Sequence, residues 1–190
     1  MNALMLYDRG SVDYEGINLS NHVQRAVENA GGFVKGILLN SDEIKPCLGC
    51  FNCWIKTPGL CVITNDCAND ISREEIRADA MVLLTNLTYG GYSCDTKAFL
   101  DRSIPNILPL FETYRGEVHH KMRYERFPNL ITIGYGESTD AERKTFRKLV
   151  ERNVLNLRSA KYLTLTIENN SELKTVMLEL ERFFKEEVHT

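Results

Sequence analysis

Short apolar segments alternate with amphipathic segments along the chain, and this alternation constrains the fold more than any other feature of the sequence. The apolar segments span residues 3–7, 33–39, 80–84, 130–133 and 162–167. The first is a continuous apolar run, as in a strand covered on both faces, and the last alternates polar and apolar residues, as an edge strand does. Strands that alternate with helices form parallel sheets. We therefore predict an α/β fold in three layers, with a five-stranded parallel sheet in the order 2-1-3-4-5.

The amphipathic segments carry apolar residues at the spacing of one helix face. The first face ends at Gly31-Gly32, which stops the helix, and it comprises Leu19, Val23, Ala26, Val27 and Ala30. Further helices are predicted at 94–102, 146–157 and 173–184. No internal repeat or linker divides the chain, so we predict one domain over residues 1–190, with a cysteine-rich loop at 46–67 and a long excursion at 103–128.

Charge and composition argue against two classes of partner. The net charge is −3, and no basic stripe with interleaved aromatic residues occurs, so we expect no nucleic acid partner. No apolar run approaches the length needed to span a membrane, and the first residues lack the pattern of a signal peptide. The sequence therefore predicts a cytoplasmic protein without a membrane partner.

Four cysteines follow the second predicted strand with the spacing C-x2-C-x2-C-x7-C, and they are Cys47, Cys50, Cys53 and Cys61. Compact thiolate runs of this kind bind iron–sulfur clusters, whereas four-cysteine zinc sites usually consist of two separated pairs. A disulfide framework is not expected in a reducing cytosol. The spacing leaves open metal-free thiols that shape a turn, a 4Fe–4S cluster, and zinc or a redox disulfide. Cys67 and Cys94 lie outside this spacing, and we predict that they are small core residues.

Three segments, in order along the chain, resemble one family of proteins. They are the cysteine-rich segment at 46–61, the segment Thr88-Tyr89-Gly90-Gly91-Tyr92-Ser93, and the segment Lys97-Ala98-Phe99-Leu100-Asp101-Arg102. The segment Gly116-Glu117-Val118-His119-His120 is similar to one branch of the same family. The family comprises the NADPH-dependent FMN reductases and the iron–sulfur flavoproteins, which are flavodoxin-like.

The resemblance implies a flavodoxin-like fold, FMN at the carboxyl edge of the sheet, NAD(P)H as reductant and a homodimer that completes the flavin site. In iron–sulfur flavoproteins, the cysteines that match Cys47, Cys50, Cys53 and Cys61 bind a 4Fe–4S cluster. The resemblance also implies the FMN-binding residues, which are Arg9, Ser11, Asn18, Leu19 and Ser20 in the first loop, Asn86, Leu87, Thr88, Tyr89, Gly90, Gly91, Tyr92 and Ser93 after the third strand, and Gly134, Tyr135 and Gly136 after the fourth.

The residues themselves allow simpler interpretations of these loops. Gly90-Gly91 lets the backbone approach a flat ring, but it also suits a surface turn. Asn18 and Ser20 can bind phosphate at a helix start or simply cap the helix. The first loop departs from the family pattern because it carries Asp8, Asp13 and Glu15, and each carboxylate is expected to weaken binding of a phosphate by ~1 kcal/mol.

Three functions follow from these observations. The first is an FMN-dependent NAD(P)H oxidoreductase that passes reducing equivalents to a small-molecule or protein acceptor. The second is an iron–sulfur flavoprotein that carries electrons through a 4Fe–4S cluster. The third is a flavodoxin-fold binding module whose altered first loop no longer binds FMN. No side chain is assigned as a catalytic acid or base, because flavin and cluster chemistry belong to the cofactor.

Overall fold

The computed structural model describes residues 1–188, which form seven strands and six helices. The strands are β1 Asn2–Asp8, β2 Phe33–Leu39, β3 Ala80–Asn86, β4 Ile107–Tyr114, β5 Glu117–Met122, β6 Asn129–Tyr135 and β7 Tyr162–Ile167. The helices are α1 Leu19–Asn29, α2 Asn52–Ile55, α3 Ala68–Arg77, α4 Cys94–Arg102, α5 Asp140–Leu157 and α6 Leu173–Val188.

Five strands form one parallel sheet in the order β2-β1-β3-β6-β7. This is the predicted arrangement 2-1-3-4-5, because the fourth and fifth strands expected from the sequence are β6 and β7. The numbering differs since the 103–128 excursion contains two strands that the sequence analysis did not predict. β4 and β5 form a separate antiparallel hairpin, joined at Arg115-Gly116, which both have positive φ angles as a tight hairpin turn requires.

Apolar side chains pack on both faces of the sheet, which explains why the central strands are apolar throughout. On one face, the core includes Leu19 and Val23 of α1 together with Leu180 and Phe184 of α6. On the other face, helices α3, α4 and α5 contribute to the core. The residues are Ile71 of α3, Phe99 of α4, and Phe146 and Val150 of α5. Burial on this scale stabilises each side chain by about 2 kcal/mol. The structure is therefore a three-layer α/β fold.

Two sequence predictions about this fold were wrong or incomplete. Cys67 and Cys94 are exposed rather than core residues. Helix α3 was not predicted, because the side chains that it buries include the polar residues Asn69, Ser72 and Glu75, which hide the apolar periodicity of a helix. Within residues 1–188, no helix has the length and apolar character required to cross a bilayer.

Candidate redox site

The cysteine-rich loop folds so that its four cysteines line one cavity. Gly49 and Phe51 have positive φ angles, which turn the chain back on itself, and Cys53 follows in the single turn of α2. The cavity has a volume of about 20 Å³, and its walls comprise Cys47, Leu48, Gly49, Cys50, Phe51, Cys53, Cys61, Ile63, Arg102, Ile104 and Pro105. Cys53 is buried, whereas Cys47 and Cys50 are exposed. The structure thus brings together the four residues that the spacing predicted as ligands.

Hydrogen bonds from outside the loop hold this cavity in place. The indole Nε1–H of Trp54 donates to the carbonyl oxygens of Ile104 and Ile107, at 3.3 and 3.0 Å. Asn69 of α3 holds Cys61 through two bonds, because its side-chain oxygen accepts from the Cys61 amide and its Nδ2 donates to the Cys61 carbonyl, both at 2.9 Å. Trp54 therefore anchors the loop, and its polar atom is satisfied as a half-buried indole requires.

A buried ion pair lies beside the cysteines. Arg102, the last residue of α4, has no exposed side-chain surface, and neither has its partner Asp66. The guanidinium Nη1 donates to Asp66 Oδ2 and to the Lys45 carbonyl, both at 2.7 Å, while Nη2 donates to Asp66 Oδ1 and to the Ile63 carbonyl. Burial acts against the charged form of Asp66, yet the hydrogen bonds from Arg102 and two backbone amides hold its pKa below the ordinary value. Arg102 is therefore a permanent cation in the wall of the cavity.

The Cys53 thiol in this cavity resists ionisation. Burial raises the pKa of the Cys53 thiol, and negative charge on Cys61, Cys47 or Cys50 raises it further. Four thiolates are therefore stable together only when bound cations neutralise them, so metal binding must displace protons. All six cysteines of the chain are free thiols in this structure.

The donor set fits a cluster better than a single ion. Among residues 1–188, no group of three or more His, Cys, Asp or Glu side chains is placed to hold one metal ion. The ligands of a 4Fe–4S cluster bind different iron atoms, so they stand farther apart than the ligands of one ion. Because the enclosed volume is small, a cluster requires the exposed segment 47–50 to move outward. The four thiols are thus donors of the type that a cluster requires, but in this structure they are not arranged around one metal centre.

The first loop has a different character, because its own side chains fill the corner where the resemblance places the FMN phosphate. Asp8 at the end of β1 is buried, and its carboxylate accepts hydrogen bonds from the Asn86 amide at 2.6 Å and from the Tyr135 hydroxyl. Ser11 is also buried, and its hydroxyl donates to the Asp8 carbonyl. The Tyr135 hydroxyl lies against Gly10, where any Cβ would clash with it. A carboxylate thus sits where strands β1, β3 and β6 end.

The remaining polar residues of the first loop are also occupied. Arg9 binds Asp95 and Asp42 through its guanidinium, with N–O distances of 3.0 and 2.9 Å. Asn18 caps α1, because its side-chain oxygen accepts from the Asn21 amide and from the Ser20 hydroxyl. Leu19 is completely buried in the core. Asn18 thus has the capping role that the sequence analysis gave as the alternative to phosphate binding, and Leu19 lies on the apolar helix face that it predicted, whereas the ion pairs of Arg9 were not predicted.

Acidic residues surround this corner. Burial raises the pKa of Tyr14, and the negative charges of Glu15, Glu137, Glu168 and Glu172 raise it further. Tyr14 packs edge-on against Tyr135, with ring centroids 5.1 Å apart, and donates its hydroxyl to the Glu168 carbonyl. A phosphate dianion here would meet several carboxylates and two tyrosine rings. The polar side chains of this corner are therefore paired within the protein, and Arg143 pairs with Glu168 beside them.

The loop after β3 forms a surface turn, which the sequence analysis gave as the simpler interpretation of Gly90-Gly91. Thr88 and Gly91 pair through two backbone hydrogen bonds, with Tyr89 and Gly90 in the left-handed region at the tip. Tyr89 is 90% exposed, whereas Tyr92 is directed inward, where Asn153 donates to its hydroxyl and where burial raises its pKa to about 12. The Leu87 side chain is buried, and the Ser93 side chain caps α4.

The loop after β6 packs closely against its neighbours. Gly134 lies against Phe146 and Gly136 lies against the Asn86 amide, both at distances that exclude a Cβ. Thr88 donates weakly to the Asn86 side-chain oxygen. Among the residues that the resemblance implied for FMN, Tyr89 has a ring that is exposed to solvent at the carboxyl edge of the sheet.

Sequence reasoning missed three residues of the cysteine site, namely Arg102, Asp66 and Asn69. Arg102 belongs to the Leu-Asp-Arg segment of the resemblance, but nothing in the sequence connected that segment with the cysteines. The three residues come together because α3 and α4 pack into the same core, which brings Asp66 to Arg102 and Asn69 to Cys61. His119 and His120 bind Asn156 and the Leu108 carbonyl respectively, so they have structural roles.

Comparisons with known proteins place this geometry in context. No family model matches the chain. An iron-sulfur flavoprotein of Methanocaldococcus jannaschii is 34% identical over 80 residues, which are 42% of this chain and 40% of that protein. An iron-sulfur flavoprotein of Archaeoglobus fulgidus is 31% identical over 81 residues, which are 43% of this chain and 36% of that protein. The matched segment thus spans less than half the length of these relatives.

Solved structures match over nearly the whole chain at low identity. A NAD(P)H:quinone oxidoreductase from Methanothermobacter marburgensis has a TM-score of 0.62 at 14% identity, covering 100% of this chain and 98% of that one. An FMN-dependent NADH-azoreductase from Bacillus anthracis in complex with FMN has a TM-score of 0.62 at 13% identity, covering 98% and 99%. Flavodoxin 1 from Bacillus cereus has a TM-score of 0.55 at 10% identity, covering 97% of both chains. The chain therefore has the flavodoxin-like fold, and its resemblance to the iron–sulfur flavoproteins is confirmed over the matched segment.

Proposed function

We propose that this protein is a redox protein that transfers electrons through a 4Fe–4S cluster bound by Cys47, Cys50, Cys53 and Cys61. The observation that supports the proposal is the convergence of these four thiols on one apolar cavity beside a buried guanidinium. The sequence similarity to two iron-sulfur flavoproteins agrees with it. No step of this proposal is assigned to flavin, because the side chains at the corner of Asp8 are already paired with one another.

The residues around the cavity have distinct roles in this proposal. Ile63, Ile104 and the buried Pro105 form the apolar wall on the inner side of the cavity. Asn69 and Trp54 fix the backbone on either side of the ligands. Exposed Cys47 and Cys50 lie on the solvent side, where an electron donor or acceptor can approach. A bound cluster supplies the uptake and release of single electrons.

The first prediction concerns iron loading of the purified protein. After anaerobic reconstitution with iron and sulfide, the wild type should bind iron and sulfide and become brown. Cys53→Ser and Cys61→Ser should lose most of the bound iron, because each removes a thiolate ligand at the buried end of the cavity. Iron and sulfide assays with visible absorbance spectra measure the outcome.

Cys67→Ser and Cys94→Ser are the matched controls, since both remove exposed free thiols outside the cavity. They should load iron like the wild type. Equal loading of all four variants, or no loading of the wild type, would contradict the proposal.

The second candidate function is NAD(P)H-dependent reduction of FMN. One observation favours it, namely the exposed Tyr89 ring on a tight turn at the carboxyl edge of the sheet. An azoreductase of similar fold is known in complex with FMN. The filled corner at Asp8 argues against it and agrees with the third interpretation, a fold that no longer binds FMN.

Titration with FMN separates these candidates. We expect no saturable quenching of flavin fluorescence by the wild type, because carboxylates occupy the phosphate corner. Asp8→Asn tests the cause, since it removes the buried charge and keeps the shape of the side chain. Tight FMN binding by the wild type would restore the flavin-dependent function to first place. The homodimer, the cytoplasmic location and the identity of the acceptor remain predictions.

A further inference from the structure

Arg102 carries one N–H group that the protein leaves without a partner. A guanidinium has five N–H donors. Four of them, on Nη1 and Nη2, are directed to Asp66, Lys45 and Ile63. The fifth, on Nε, is buried and has no hydrogen-bond acceptor in the structure. A buried donor without an acceptor destabilises the folded protein, so its presence calls for an explanation.

The position of Arg102 suggests which group this donor serves. Arg102 is the charged residue among those that line the cysteine cavity. Arg102 and Cys61 line the same cavity, so the unpaired N–H group and the Cys61 sulfur belong to walls of one enclosed space. Cys61 is itself fixed by the two hydrogen bonds of Asn69. Donor and sulfur are therefore both held in place before any metal is bound.

We infer that the Nε–H of Arg102 donates a hydrogen bond to the sulfur of Cys61 when that sulfur is a thiolate ligand of the cluster. The inference rests on the proposed function. Arg102 is then a positioning and tuning residue, which contacts the ligand sulfur and takes no part in bond making or breaking. Its hydrogen bond stabilises the reduced state more than the oxidised state, because the sulfur ligands bear more negative charge after reduction.

Because Arg102 is paired with Asp66, we expect its effect on the cluster potential to come from the orientation of its N–H group rather than from its net charge. Asp66 neutralises the guanidinium within the same buried site. The pair as a whole thus contributes little net charge to the cluster, and the N–H group contributes through its orientation. Lysine at position 102 keeps the positive charge but cannot reproduce the fixed fork of arginine.

The test compares midpoint potentials of reconstituted variants. Arg102→Lys should load iron and show a lower midpoint potential than the wild type, with a changed electron paramagnetic resonance spectrum of the reduced protein. Asp66→Asn is the matched control, because it breaks the same buried pair and lowers thermal stability but retains the Nε–H donor. Removal of its negative charge should raise the potential.

Opposite shifts in the two variants support the inference. An unchanged potential in Arg102→Lys, or a shift of both variants in the same direction, overturns it, since loosening of the loop would act on both alike. If Arg102→Lys does not fold, the double variant Asp66→Asn/Arg102→Gln removes the pair together, which buried sites tolerate better. Its potential should lie below that of the wild type, because the site has no net charge in either protein and only the wild type has the Nε–H donor, and equality overturns the inference.

The same measurements distinguish this inference from the proposed function. A wild type that takes up no iron overturns both. A wild type that binds a cluster, with an Arg102→Lys variant of identical potential and spectrum, overturns the role of Arg102 alone.

Discussion

At the scale of single residues, the structure buries two carboxyl groups in opposite ways. Asp66 is ionised, because a guanidinium and two amides surround it. Glu75 is completely buried on α3, accepts one hydrogen bond from Asn106 at 2.7 Å, and lacks a cation. Burial raises the pKa of Glu75 to about 8, although hydrogen bonds from Ser103 and Asn106 oppose the shift. Glu75 is therefore protonated at neutral pH, whereas Asp66 is charged.

This raised pKa predicts how stability depends on pH. Between the ordinary value of 4.5 and about 8, the folded state retains a proton on Glu75 that the unfolded chain has lost. The free energy of unfolding should therefore fall as pH rises through this range. Glu75→Gln keeps a neutral group of the same shape and removes the dependence. It should be more stable than the wild type at pH 7 by about 3 kcal/mol, and equal to it near pH 4.

Urea denaturation at several pH values measures this difference. Asp70→Asn is the control, because it neutralises an exposed carboxylate on the same helix. A wild type and a Glu75→Gln variant with parallel stability profiles from pH 4 to 8 would show that Glu75 is ionised in the folded state.

At the scale of elements, short segments of irregular chain are fixed by helices and strands that lie far away in sequence. The cysteine-rich loop contains just one turn of helix, α2, yet Trp54 binds it to the start of β4 and Asn69 binds it to α3. The loop therefore depends on the excursion at 103–128 for its shape. That excursion connects two strands of the sheet and also supports the candidate site.

Trp54→Phe tests this connection. Phenylalanine keeps an aromatic ring against Phe51 but loses the N–H that donates to the carbonyls of Ile104 and Ile107. We expect a loss of about 1–2 kcal/mol in the free energy of unfolding, together with slower iron uptake. Chemical denaturation and the time course of reconstitution measure the two effects. Tyr89→Phe, which alters an exposed ring on another loop, should change neither.

At the scale of the whole molecule, the sequence predicted those strands and helices whose position depends on the local pattern of apolar residues. Strands β2 and β7 and helix α4 have the predicted boundaries, because each has a clear apolar period and distinct ends. The hairpin was missed since Pro109 lies within β4 and weakens its strand pattern. The four cysteines line one cavity, and their binding of a cluster stays a prediction. Their partners Arg102, Asp66 and Asn69 come from distant segments, and their proximity depends on packing that local pattern does not encode.

The contacts of Asp8 at the end of β1 have a consequence for how the neighbouring strand ends are held together. In a protein that binds an anionic cofactor there, the cofactor draws adjacent strand ends together, and the melting temperature follows its supply. Here the side chain of Asp8 links the Asn86 amide and the Tyr135 hydroxyl by itself. The ends of β1, β3 and β6 are therefore joined by hydrogen bonds between the protein's own groups.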